Sequence, residues 1–139
     1  ESALSLANYY KDEKACVFIT YDHAGIVEEK INSPLDFEAF YQNCVHIIFN
    51  ARAEAEELIT YNLRRTDEIS EVTVITHSLT YGLFDAVKAC FSRGKEVMVV
   101  FISNDTSDEA SAIIQELHNT GIIIKQIFLE NDIAAVLNV

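Results

Sequence analysis

Basic residues are scarce in this sequence: ten Lys and Arg stand against 22 Asp and Glu, a formal net charge of −12. That imbalance excludes a nucleic-acid or anionic-membrane surface, because phosphate backbones are held by patches of Lys and Arg. An acidic surface serves solubility, and it can also meet a basic partner. No apolar run has the length or flanks of a membrane-spanning helix, and no signal peptide is expected at an N-terminus lacking a basic segment followed by an apolar one. Cysteine is sparse and odd in number. Cys16, Cys44 and Cys90 have no close pairing, which speaks against a disulfide framework and for a reduced, cytoplasmic setting. The spacings of HxH, HExxH and paired-cysteine metal sites are missing, so Asp22-His23 with His77 makes no recognisable metal centre, and no cofactor is expected. Ser78 lacks the Gly-x-Ser-x-Gly frame of a nucleophile elbow.

What is present is regular. Val72–Thr76 (VTVIT) is a β-branched run that breaks at His77-Ser78. A helical pattern follows, with Leu83, Val87, Cys90 and Phe91 on one face, and it stops at Arg93-Gly94. Val97–Ile102 (VMVVFI) is continuously apolar, Ser103–Ser107 reads as a loop, and Ala110, Ile113, Ile114 and Leu117 mark a second helix ending at Gly121. Ile122–Leu129 closes a βαβαβ unit. Strands apolar on both faces suit a parallel sheet buried between helices. The capping signals agree: Thr106 as N-cap with Glu109 three residues on, and Gly94 and Gly121 as left-handed C-caps.

Upstream, Ser2–Lys11 reads as a short helix and Ala15–Tyr21 as a strand ending in the turn Asp22-His23-Ala24-Gly25. Ser33 as N-cap and Pro34 in the first turn open a long helical stretch. Its apolar positions are Phe37, Phe40, Tyr41, Cys44, Ile48, Ala55, Leu58 and Ile59, in one helix or in two broken near Asn50. Arg64–Ser70 is a polar link. The pattern predicts a single α/β domain over 1–139: a Rossmann-like three-layer fold with a mainly parallel sheet. Residues 1–70 form a strand and long helical segment, and residues 71–139 form the βαβαβ unit.

The segment Val72–Leu137 resembles the ribose-1,5-bisphosphate isomerase family, which includes the regulatory subunits of translation initiation factor 2B. The resemblance rests on VTVITHS (Val72–Ser78), SRGKEV (Ser92–Val97), VMVVFISND (Val97–Asp105) and EASAIIQELHNTGI (Glu109–Ile122). The tail Asp132-Ile133-Ala134-Ala135 matches too, and the family has a helix where Ala51–Leu63 lies. It implies a Rossmann-like fold. The isomerases carry a catalytic Cys directly after the Thr-His pair, and Ser78 stands there in this chain. The family's catalytic Asp segment has no counterpart before Val139. Its Thr-Glu-Ser-Arg-Pro phosphate loop is replaced by Ser103-Asn104-Asp105-Thr106, which removes the arginine clamp and adds a carboxylate. The resemblance therefore implies a regulatory rather than a catalytic member.

In open parallel sheets ligands sit at the carboxyl ends of the strands, so the candidate ligand-binding residues are Thr76, His77, Ser78, Ser103 and Asn104. His77 can donate to a phosphate, act as a general base, or tie a neighbouring backbone group. Ser78 and Thr80 can cap the next helix or offer hydroxyls to an anion at its start. Arg93 and Lys95 fall at the opposite end of the unit. Asp105, Asp108 and Glu109 make an acidic helix start, and His118 a basic helix end. Two functions follow as expectations. One is a non-catalytic regulatory or protein-interaction domain that self-associates or binds a protein partner and senses a small anion. The other is a small phosphosugar- or nucleotide-binding enzyme using His77 and Ser78.

Overall fold

The computed structural model describes residues 1–13, 16–47, 52–64, 68–130 and 136–137. Ala15, Ile48, Asn50, Ala51 and the tail 132–135, to which the sequence assigns roles, lie outside the described residues. The chain divides into two compact units with the boundary between Glu54 and Ala55.

The first unit contains α1 (Ser2–Asp12), β1 (Val17–Asp22), β2 (Ile26–Ile31) and α2 (Pro34–Cys44). β1 and β2 form an antiparallel hairpin running from Val17↔Ile31 to Asp22↔Ile26. Its turn places Ala24 and Gly25 at positive φ, 54° and 130°, a conformation glycine adopts without steric cost. One face of the hairpin packs on both helices, with Ala7, Ile31 and Phe40 buried and Val17, Ile19, Phe37 and Cys44 around them. β2 was not expected from the sequence: IVEEKI carries a charge on both faces. Glu29 lies on the core side because Tyr21 satisfies it, donating its hydroxyl to Oε1 at 2.6 Å. Burial, with the adjacent Glu29 carboxylate, pushes the Tyr21 phenol from 10.0 up to about 12.

The long helical stretch is not continuous. α2 starts as expected, with Ser33 accepting from the Asp36 N–H and Pro34 at the first position, but it ends at Cys44, and Arg52–Glu54 are not helical. Asp22 holds that second segment from 30 residues away. Its carboxylate accepts the Arg52 N–H at 2.6 Å and the Ala53 N–H at 2.8 Å, besides the Gly25 N–H at 2.9 Å in its own turn. The bonds from Ala53, Arg52 and Gly25 hold its carboxyl below the ordinary 3.8. A lowered folded pKa means that this stabilisation is complete above the unfolded value and is lost as pH falls through the folded one. Asp22→Asn should therefore weaken the fold at neutral pH and lessen its acid sensitivity below pH 3.8, read by circular dichroism across an acid titration.

The second unit contains α3 (Ala55–Leu63), β3 (Glu71–Thr76), α4 (Tyr81–Ser92), β4 (Glu96–Ile102), α5 (Asp108–Thr120) and β5 (Ile123–Ile127). The strands form a parallel sheet in the order β3-β4-β5, the α/β arrangement the sequence predicts. Sequential order with right-handed crossovers puts α4 and α5 on the same face. That face brings Val72, Val74, Val97, Val99 and Ile124 against Ile59, Leu83, Val87, Cys90, Ile113 and Leu117. Cys90 is a buried free thiol, packed as a small hydrophobe. On the other face Val100 and Ile127 are buried as well. Phe91, expected on the inner face of α4, is exposed, and Phe84 takes the buried place. Gly94 and Gly121 are left-handed, at φ 78° and 89°.

Candidate functional site

Thr76 pairs in register with Phe101, so the segments after β3 and β4 leave the sheet side by side. The structure thus brings Thr76, His77 and Ser78 to the same end as Ser103 and Asn104. It also uses most of their hydrogen-bonding groups. Thr76 is buried; its hydroxyl donates to the Ser78 carbonyl at 2.9 Å and accepts the Ser78 N–H at 3.2 Å. Thr80, the cap the sequence allowed beside Ser78, accepts the Leu83 N–H at 3.1 Å. His77 and Ser78 are exposed.

The loop after β4 is tied more fully. The Ser103 hydroxyl accepts the Asp105 N–H at 3.0 Å, Asp105 accepts the Ser107 N–H at 2.8 Å, and Asn104 Oδ1 accepts the Leu129 N–H at 3.0 Å. Gln126 donates from Nε2 to the carbonyls of Ser103 and Asp105 at 3.0 and 2.9 Å. The N-cap of α5 is Ser107, which accepts the Ala110 N–H at 3.2 Å, and not Thr106. Glu109 is then the second helical residue, one short of a capping box; the Asp105–Ser107 bond sets that register. The same bond holds the Asp105 carboxyl below the ordinary carboxylate range.

Both helix starts at this end carry a carboxylate of the chain itself. Asp105 precedes α5. At α4, a Cβ on Gly82 would stand 2.7 Å from Glu56 Oε1 and 3.8 Å from Thr80 Oγ1. Glycine at the second helical position therefore lets Glu56, from α3, lie against the helix start. A helix N-terminus favours negative charge, and here internal acids supply it where an anionic ligand would go. Glu56, Gly82 and Gln126 were not singled out from the sequence, and no pattern of spacing marks them. Arg93 and Lys95, at the opposite end of the unit, are engaged there: Arg93 donates to the Leu63 carbonyl at 3.1 Å, and the Lys95 ammonium donates to the Ile69 carbonyl. A dinucleotide crevice opens where strand order reverses. The order β3-β4-β5 has no reversal among the described strands. Nor do the described residues contain a group of three or more His, Cys, Asp or Glu able to hold a metal ion, and no described helix is long and apolar enough to cross a membrane.

The caps give a direct check on this geometry. Thr80→Ala and Ser107→Ala should each cost about 1 kcal/mol, the usual loss on removing a hydroxyl cap, read as a fall in the urea midpoint. Comparison with protein-family models and with curated proteins gives no match for this sequence.

Proposed function

We propose that this chain is a non-catalytic regulatory or protein-interaction domain on a Rossmann-like scaffold, working in a reducing cytoplasmic setting where its three free cysteines stay unpaired. The observation that carries the reading is the self-sufficiency of the strand ends. The hydroxyl of Thr76, the side chains of Ser103, Asn104 and Asp105, and the carboxylate of Glu56 all serve the loops and helix starts. A site that binds and turns over a sugar phosphate needs free donors and a cation near the reacting group; here the carboxylates repel the phosphate.

One observation favours a second reading, a small phosphosugar- or nucleotide-binding enzyme: His77 and Ser78 are both exposed at the end of β3. Incubating the chain and its His77→Ala/Ser78→Ala variant with a pentose phosphate, and following the sugar by NMR, separates the two. The interaction-domain reading expects no conversion by either protein. Conversion by the wild type that the double variant abolishes would establish the enzyme.

A further inference from the structure

The boundary between the two units falls between Glu54 and Ala55, and a single side chain holds the chain just ahead of it. Asp22 Oδ2 accepts from two consecutive amides, Arg52 at 2.6 Å and Ala53 at 2.8 Å, while Oδ1 accepts the Gly25 N–H at 2.9 Å. One carboxylate thus bridges the β1–β2 turn and the junction. Among the described residues, the Arg52 and Ala53 amides have no other hydrogen-bond partner. The turn itself is firmly set. The His23 N–H donates to the Gly25 carbonyl at 2.9 Å, and Ala24 sits at φ 54°, a left-handed conformation that costs an alanine energy. Strain of this kind persists where surrounding contacts over-determine it. A carboxylate suits the bridge because it only accepts, and charge-assisted hydrogen bonds are roughly twice as strong as neutral ones.

We propose that Asp22 is a latch on the junction between the units, opening and closing while the hairpin that carries it stays folded. Closed, it anchors the chain at Ala53, so that Glu54 alone separates the anchor from α3. Open, the nearest described hydrogen bond ahead of α3 is that of the Ile47 N–H to the Cys44 carbonyl at 3.3 Å, and the junction runs from residue 48 to residue 54. The tether between the units is then longer, and the reach of a flexible tether grows with the square root of its length. Two hydrogen bonds separate the states, so the junction opens at a lower free energy than the unit unfolds. The latch rests on contacts within the first unit, so phosphate binding at the strand ends, or its absence, leaves this inference untouched.

The Arg52–Ala53 peptide is itself a trypsin target, which makes the latch measurable on the full chain at neutral pH. Cleavage needs the residues around the bond free, so its rate follows the open population. Release of fragment 1–52, read by mass spectrometry, should be slow in the wild type. In Asp22→Ala it should be about tenfold faster or more, the factor that losing charged hydrogen bonds brings. Cleavage after Lys30, inside β2, should rise far less. Hydrogen exchange of the wild type gives the second reading: the Arg52 and Ala53 amides should be protected, yet exchange sooner than the β1–β2 ladder. Equal acceleration at Arg52 and Lys30, or none at Arg52, overturns the proposal. So do unprotected Arg52 and Ala53 amides, or amides that exchange in step with the ladder.

Discussion

Phe40→Ala should unfold the first unit while the second keeps its sheet. Phe40 is 3% exposed and is the largest side chain in a small core whose other buried members are Ala7 and Ile31. Truncating a buried phenylalanine costs about 3–5 kcal/mol. A unit of this size has on the order of 3–8 kcal/mol of stability in all, so a single truncation removes a large part of it. Hydrogen exchange at the amides of β1 and β2 reads the effect: protection should collapse there and persist in β4. Leu35→Ala, at the 80% exposed start of α2, is the control and should change stability by less than about 0.5 kcal/mol. Unchanged hairpin protection in Phe40→Ala would show that the unit is held by something other than this core.

The corresponding change in the second unit is Leu117→Ala, expected to cost about 3 kcal/mol, within the range for buried leucines. Leu117 is 1% exposed and packs from α5 into the cluster that joins α3, α4 and the sheet. Surrounding Val99, Val87 and Ile113 are themselves fully buried, so neighbours have little freedom to fill the cavity. The urea midpoint should fall with the slope unchanged. A loss below about 1 kcal/mol would mean that the site collapses around the smaller side chain, contrary to close packing.

The second unit was legible because its local signals agree. Val97–Ile102 is apolar on both faces, Arg93-Gly94 and Gly121 stop helices where left-handed residues are needed, and periodicity marks α4 and α5. The first unit hid its second strand for a specific reason. Glu29 faces the core of a hairpin whose sequence shows no clean alternation, and the Tyr21 hydroxyl, donating to it, makes that tolerable. Contacts distant in sequence were equally invisible: Asp22 capturing the Arg52 and Ala53 amides, Gln126 bracing the loop after β4, and Glu56 reaching Gly82. The contacts of Gln126 and Glu56 bear on the candidate site. Thr76, Ser103 and Asn104 were correctly placed at the strand ends, yet their role as ligands assumed free side chains. The structure bonds Thr76 and Ser103 to backbone groups of their own loops and Asn104 to the Leu129 N–H after β5.

The most direct test of this account is a titration of the wild-type chain with inorganic phosphate, followed at the backbone amides of Ser78, Leu83, Ser107 and Ala110 by NMR. These four amides already donate to Thr76, Thr80, Asp105 and Ser107, in that order. The account predicts no saturable shift at any of them through millimolar phosphate. Saturable shifts at both helix starts would contradict it, and would show that the strand ends are an anion site after all.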